Sequence, residues 1–289
     1  MREAPEVAER GSGPVHAAAA HLPRYAPPLT GRQLARRERT IAWVIRLGTF
    51  GAFVTLWQWF ANGTDNPLLA SFTETVEGFI DVTFVTGDLW APLWRSNQAM
   101  ILGYLAAIVT AIPLGLAAGR SALLDRMADP WVAIFVAVPI APLIPIVIVA
   151  LGLGLTARSV IVFFFAFVFM AVNTRAGVRQ VDPALPEMAK SFGANEGDVW
   201  RYVIVPGSQP AIFAGLRIGL GRAIAGMVIV ELLLVATGVG RLLLSASGRF
   251  DGSRMFGIVA AIVLESLLLL AAMRVVERRM APWAVDGAV

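Results

Sequence analysis

The chain alternates between six long apolar stretches and the polar segments that separate them. A helix needs about 17 to 25 mostly apolar residues to cross a bilayer. The first stretch runs from about Ile41 to Ala61, the second from Ser96 to Gly119 and the third from Pro130 to Leu153. The fourth, Ser159 to Asn173, is short but strongly apolar; the fifth spans Leu216 to Ala236 and the sixth Met255 to Val276. Six such stretches predict an all-α membrane protein of about six transmembrane helices.

The polar segments carry their own pattern. Residues 62–95 hold Asp65, Glu74, Glu77, Asp81 and Asp88, and "LLASFTETVEGFIDVTF" within them predicts a short amphipathic helix. Residues 1–39 are rich in Pro, Ala, Gly and charge without a sustained period, and read as a disordered tail. The apolar run starts too late for a cleaved leader. The expected organisation is a cytoplasmic tail over 1–39 and a first span with its external loop over 40–95. A core of five spans follows over 96–283, holding a polar loop at 174–210, and a short tail over 284–289 closes the chain.

Composition agrees with this pattern. Of 289 residues, 57% are hydrophobic and 15% charged, whereas soluble domains are about a quarter charged. The net charge is +4, and all but one of the 24 basic residues are arginine. No basic cluster interleaves with aromatics, so no nucleic-acid partner is expected. The chain has no Cys, which excludes disulfides, thiolate catalysis and Cys-based metal sites. Its two histidines, His16 and His21, lie in the tail as solvated residues. No catalytic residue and no metal site are expected.

Basic residues near the span ends set orientation. Arg32, Arg36, Arg37 and Arg39 precede the first span, and Arg274, Arg278 and Arg279 close the sixth. Both termini are therefore expected in the cytoplasm, with the 62–95 loop outside and the 174–210 loop inside. Arg241, Arg249 and Arg254 misfit this rule, because parity places the 237–254 loop outside.

The 174–210 loop has the pattern of a folded element. Asp182-Pro183 reads as a helix start, with the carboxylate capping free N–H groups and Pro inside the first turn. Leu185, Met188, Ala189 and Phe192 then fall at i, i+3, i+4 and i+7, on one helical face. Gly193 reads as the stop. Asn195 with Asp198 predicts a cap for a second short helix ending at Pro206. Such short helices are unstable alone, so the apolar face has to dock: on lipid, on its own chain or in a groove of a soluble partner. The mixed charge of Lys190, Arg201, Glu187, Glu196 and Asp198 fits the last better than lipid, which favours strongly basic polar faces.

Glu187-Met188-Ala189, Gly193 and Ile204-Val205-Pro206 together resemble the EAA loop of ABC-importer permeases, with Met188 and Val205 departing from the usual Ala and Leu. "AIPLGLAAG", "PIAPLIPIVIVALGLG", "NTRAGVRQVDPAL", "GLRIGLGRAIAGMVIVELLLVATGVGRLL" and "VVERRMAPW" extend the resemblance over residues 95–283, to the taurine, alkanesulfonate and nitrate branch. The resemblance implies a type I ABC-importer permease fold in a bacterial cytoplasmic (inner) membrane. It implies that the loop docks in a cytoplasmic ATPase, with Glu187, Met188, Ala189, Phe192 and Gly193 as the coupling residues. The implied partners are two copies of that ATPase, a second permease copy forming a homodimer, an extracytoplasmic binding protein and the lipid bilayer. The implied solute is a small anion such as a sulfonate or nitrate, although pyrimidine precursors and aromatic acids are also carried within the branch. This chain has no phosphate loop, so ATP and Mg belong to the partner ATPase and no cofactor is expected on the chain itself.

The residues themselves suggest a pathway. Pro139, Pro142 and Pro145 lie in one apolar span, where each removes an N–H and disrupts a turn. They predict a broken helix lining a cavity or gate, or a helix kinked only for packing. Polar groups at membrane depth are functional candidates: Glu231, Glu265, Arg222 and Asn173, with Arg46 read as snorkelling to the interface. Arg222 either draws an anion inward or, like Arg217, pairs with a carboxylate. Gly215, Gly219, Ala223 and Gly226, and likewise Gly103, Ala107 and Ala111, allow close helix approach. A membrane enzyme would need catalytic groups that these spans lack. An ATP-independent channel or secondary transporter stands as the alternative.

Overall fold

The computed structural model describes residues 31–64, 66–233 and 237–281, with side chains from residue 40 onward. The expected tails at 1–30 and 284–289 lie outside the described residues. Residues 31–39 are helical, so the first helix starts earlier than the expected tail boundary.

Eleven α-helices follow one another among the described residues, and no strand occurs. They are α1 (Gly31–Asn62), α2 (Phe72–Ile80), α3 (Trp90–Arg120), α4 (Ala122–Ala137), α5 (Ile144–Leu151) and α6 (Leu155–Arg179). The rest are α7 (Ala184–Ser191), α8 (Glu196–Val199), α9 (Val205–Leu233), α10 (Gly238–Gly248) and α11 (Gly252–Met280). The chain divides into two units, Met1–Thr55 and Leu56–Val289. In the first, the Arg46 guanidinium lies 5.6 Å from the Trp43 ring centroid, as a snorkelling arginine does on an interfacial aromatic. All that follows concerns the second.

Glycine and alanine draw the long helices together. Along α3 and α6, which run parallel, Gly103 meets Ser159 and Val162, Gly115 meets Thr174, and Gly119 meets Val178. A Cβ on Gly103 would stand 2.4 Å from the Ser159 carbonyl oxygen. Antiparallel α6 and α9 meet in the same way, Gly215 against Asn173, Gly219 against Met170 and Gly226 against Phe165. Both stripes of small residues therefore do what their spacing predicted. Tyr104 adds a polar tie, donating its hydroxyl to the Leu216 carbonyl at 3.0 Å.

α2 starts with a reciprocal cap. Ser71 Oγ accepts from the Glu74 N–H, and the Glu74 carboxylate accepts from the Ser71 N–H at 2.7 Å. α2 packs on the start of α11, where Gly78 and Gly257 nearly touch backbone to backbone. Trp57, at the end of α1, donates Nε1–H to the Ala70 carbonyl and sets its ring against Phe72 and Phe256.

Three expectations need correction. The third apolar stretch starts at Ala122 and is two helices, Ala122–Ala137 and Ala141–Leu151, bent by 88°. The break itself was expected from the proline triplet; the earlier start was not, because Pro130 sits inside α4. The helix after Asp198 does not end at Pro206. It widens into one π-turn over Trp200–Ile204, closed by the Val205 N–H on the Trp200 carbonyl, and runs on as α9. A widened turn tolerates the ring and missing N–H of Pro206 where a regular turn would break, so residues 196–233 form a single helix of 38 residues. Finally, α10 occupies what read as an irregular loop. Counting the bent pair as one, six helical segments among the described residues are long and apolar enough to cross a membrane.

Candidate functional site

At one end of the bundle, α7 and α8 form a compact loop. Asp182 Oδ1 accepts from the Ala184 N–H at 2.9 Å, from one residue outside the helix, because Pro183 and not Asp182 holds the cap position of α7. Phe192 closes α7, and Gly193 turns the chain at φ +87°, a left-handed conformation in which a Cβ would be strained. Asn195 and Asp198 then cap each other's backbone N–H groups and start α8. Pro186 and Ala189 face inward, and Ala189 packs on the cluster of Val178, Val199 and Ile204. Leu185, Met188 and Phe192 face outward, with Phe192 85% exposed. The expected single apolar face is thus divided: its small member anchors the loop and its large members are left uncovered.

Charges fasten this loop to the bundle. Lys190 pairs with Glu196, and Arg120 at the end of α3 reaches Glu196 at 3.9 Å. Nearby, Arg175 of α6 binds Asp125 through Nε at 2.6 Å and also reaches Asp129, fixing α4 to α6. Glu187 is exposed and makes no ion pair among the described residues.

The opposite end holds a buried polar knot. Glu231 of α9 is fully buried. Its Oε1 accepts from Arg158 Nη1 at 3.2 Å, and both carboxylate oxygens lie 2.8 Å from Ser96 Oγ. The N-terminus of α10 completes the shell, with the Gly240 N–H donating to Oε2 at 3.1 Å and the Val239 N–H donating to Ser96 Oγ at 3.0 Å. Only glycine fits here, because a Cβ on Gly240 would stand 2.5 Å from Glu231 Cβ. A second carboxylate, Glu265 of α11, is bound by Asn97 of α3.

Residues 111–282 match the family described as binding-protein-dependent transport system inner membrane component. The chain belongs to that family. It is 29% identical over 250 residues to the taurine transport system permease protein TauC of Escherichia coli K12, covering 83% of this chain and 89% of that one. It is 31% identical over 222 residues to a probable ABC transporter permease protein of Brucella melitensis, covering 75% and 90%. Among solved structures, an inward-facing MetNI methionine ABC transporter superposes with a TM-score of 0.56, at 18% identity, over 68% of this chain and 95% of that one. The fold is that of an ABC-importer permease, and the protein is a transmembrane permease subunit of such an importer.

In this permease the expected pathway residues do not converge on one point. Pro139 lies in the α4–α5 break, Pro142 in the 3-10 turn Ala141–Leu143, and Pro145 in the first turn of α5, all three exposed. Asn173 donates to the Phe169 carbonyl at 2.7 Å, inside α6 rather than at its end. Arg222 lies over the Phe169 ring at 4.4 Å and makes no ion pair among the described residues. The carboxylate pairing open to Arg222 or Arg217 is made by Arg217, with Glu277 at 3.2 Å. Asn173 and Arg222 therefore share Phe169, while Glu231 sits in the knot at the far end.

Arg158, Ser96 and the α10 amides are the partners that sequence reasoning missed. Arg158 stands one residue before the expected fourth span, where a lone arginine reads as an interfacial charge. The paired glycines of "TGVG", at Gly238 and Gly240, were the one available signal of a close approach. Of the arginines that misfit the orientation rule, Arg254 binds Asp88 and lies 3.7 Å from Asp81.

Proposed function

We propose that the permease imports a small anionic solute of the sulfonate class, driven by an ABC ATPase that docks on the α7–α8 loop. The observation that carries this reading is the uncovered row of Leu185, Met188 and Phe192 on a loop whose inner side is anchored. A row this apolar next to water needs a partner, and grooves take helices by anchors at i, i+3 and i+7. Glu187, in the same turn, offers a carboxylate to a basic rim. ATP and Mg are bound by the ATPase, which acts as two copies under a homodimer of permeases.

An extracytoplasmic binding protein delivers the solute, and both termini lie in the cytoplasm. Taurine, a sulfonate, is the solute named for one relative of this chain, which supports that class. Pro139, Pro142 and Pro145 form the gate element, because a segment bent by 88° at membrane depth can change its angle without unfolding a helix.

The test is co-expression with the cognate ATPase, purification and taurine uptake into vesicles. A complex that imports taurine only with ATP supports the reading. Taurine uptake that needs no ATPase would establish the channel or secondary-transporter alternative.

A further inference from the structure

A cavity of about 450 Å³ opens between α9 and α11, toward the end of the bundle that carries α7. Three arginines line it, Arg217, Arg222 and Arg274, together with Ile218 and Leu270. One carboxylate answers them, Glu277 on Arg217. Arg222 and Arg274 make no ion pair among the described residues. Two positive charges are therefore uncompensated in helices long and apolar enough to span a membrane, where an unpaired charge is costly.

The geometry favours a ligand over chance crowding. Arg222 rests against the Phe169 ring at 4.4 Å and Arg217 is tied to Glu277 at 3.2 Å, so two of the three guanidinium groups already have a fixed neighbour. Between them lies Gly221, which also lines the cavity and whose Cβ position has nothing within 4 Å. A side chain at that position would project into open space. Arg274 stands six residues before the end of α11, about 9 Å along the helix.

We infer that Arg217, Arg222 and Arg274 bind a tetrahedral oxyanion, a phosphate or sulfonate group, in this cleft. Guanidinium forks match such oxygens two at a time, and Ile218 and Leu270 receive the apolar part of the molecule that carries the group. The group belongs either to an anionic phospholipid or to the transported solute, and the inference holds for both.

The test uses the full chain with its ATPase in neutral detergent and measures radiolabelled sulfate binding by equilibrium dialysis at constant ionic strength. One saturable site per permease is expected. Arg222→Gln/Arg274→Gln should weaken it by about tenfold or more, and Arg222→Lys/Arg274→Lys, which keeps the charges but loses the forks, should fall between that variant and the wild type. Gly221→Leu should weaken binding by crowding the cavity while leaving every charge in place, and its melting temperature should stay that of the wild type. Displacement of sulfate by phosphatidylglycerol at near-equimolar amounts identifies a lipid headgroup as the source; displacement by taurine alone identifies the solute. Equal sulfate binding by the wild type, the double glutamine variant and Gly221→Leu would overturn the site.

Discussion

Glu231 and Arg158, 73 residues apart in sequence, meet at 3.2 Å in the interior and are clasped there by Ser96 and the first turn of α10. A buried pair contributes little net stability once desolvation is counted, but removing one partner leaves a bare charge. The knot therefore joins α3, α6, α9 and α10 at one point and makes their relative positions interdependent.

Arg158→Gln should destabilise the permease by about 3–5 kcal/mol, because the Glu231 carboxylate then keeps only neutral donors. The double variant Arg158→Gln/Glu231→Gln should recover part of that loss. Thermal unfolding in detergent checks both; a double variant that falls by the sum of the singles would mean the two side chains are not coupled.

The glycine contacts separate rigid neighbours from yielding ones. At Gly103 an added methyl meets the Ser159 backbone carbonyl, whereas at Gly219 it meets the flexible end of Met170 at 2.6 Å. Gly103→Ala should therefore cost about 1–3 kcal/mol by overpacking, with Gly219→Ala clearly less. Equal melting temperatures for the two variants would contradict this reading of the α3–α6 contact.

Met188→Ser/Phe192→Ser should leave stability within about 0.5 kcal/mol of wild type, since both side chains are exposed. Co-purification of the ATPase should nevertheless be lost. Retention of a full complement of ATPase would remove the α7 row as its docking surface.

At the bend, Pro139→Ala/Pro142→Ala should allow α4 and α5 to straighten by restoring two N–H donors. ATP-driven taurine uptake should fall several-fold while ATPase binding is kept. Unchanged uptake would take the break out of the gate.

Much of this architecture was legible because lipid imposes a simple code. Apolar runs such as Met255–Val276 announced their spans, Pro139 to Pro145 announced the bend, and Asn195 with Asp198 announced a cap that the structure contains. What escaped was non-local. Arg158 gives no local sign that its partner lies 73 residues onward. α10 read as a loop because its glycines and arginines look irregular until Glu231 is seen beneath its N-terminus. Pro206 read as a stop because the widened turn that admits it depends on the chain continuing into α9. Ala189 shared a helical face with Met188 in the pattern, yet eight residues make too short a helix to bury a whole face, and of that face only Ala189, its smallest member, turned inward.

The unbroken run from Glu196 to Leu233 has a mechanical meaning. At 1.5 Å per residue it is a rod about 57 Å long, with the α7–α8 loop at its foot and the Glu231 knot near its head. Between them the helix holds the widened turn at Trp200–Ile204 and Pro210 inside α9, but no break. A tilt imposed at the foot therefore has a continuous helical path to the head, where α10 rests directly on the lever.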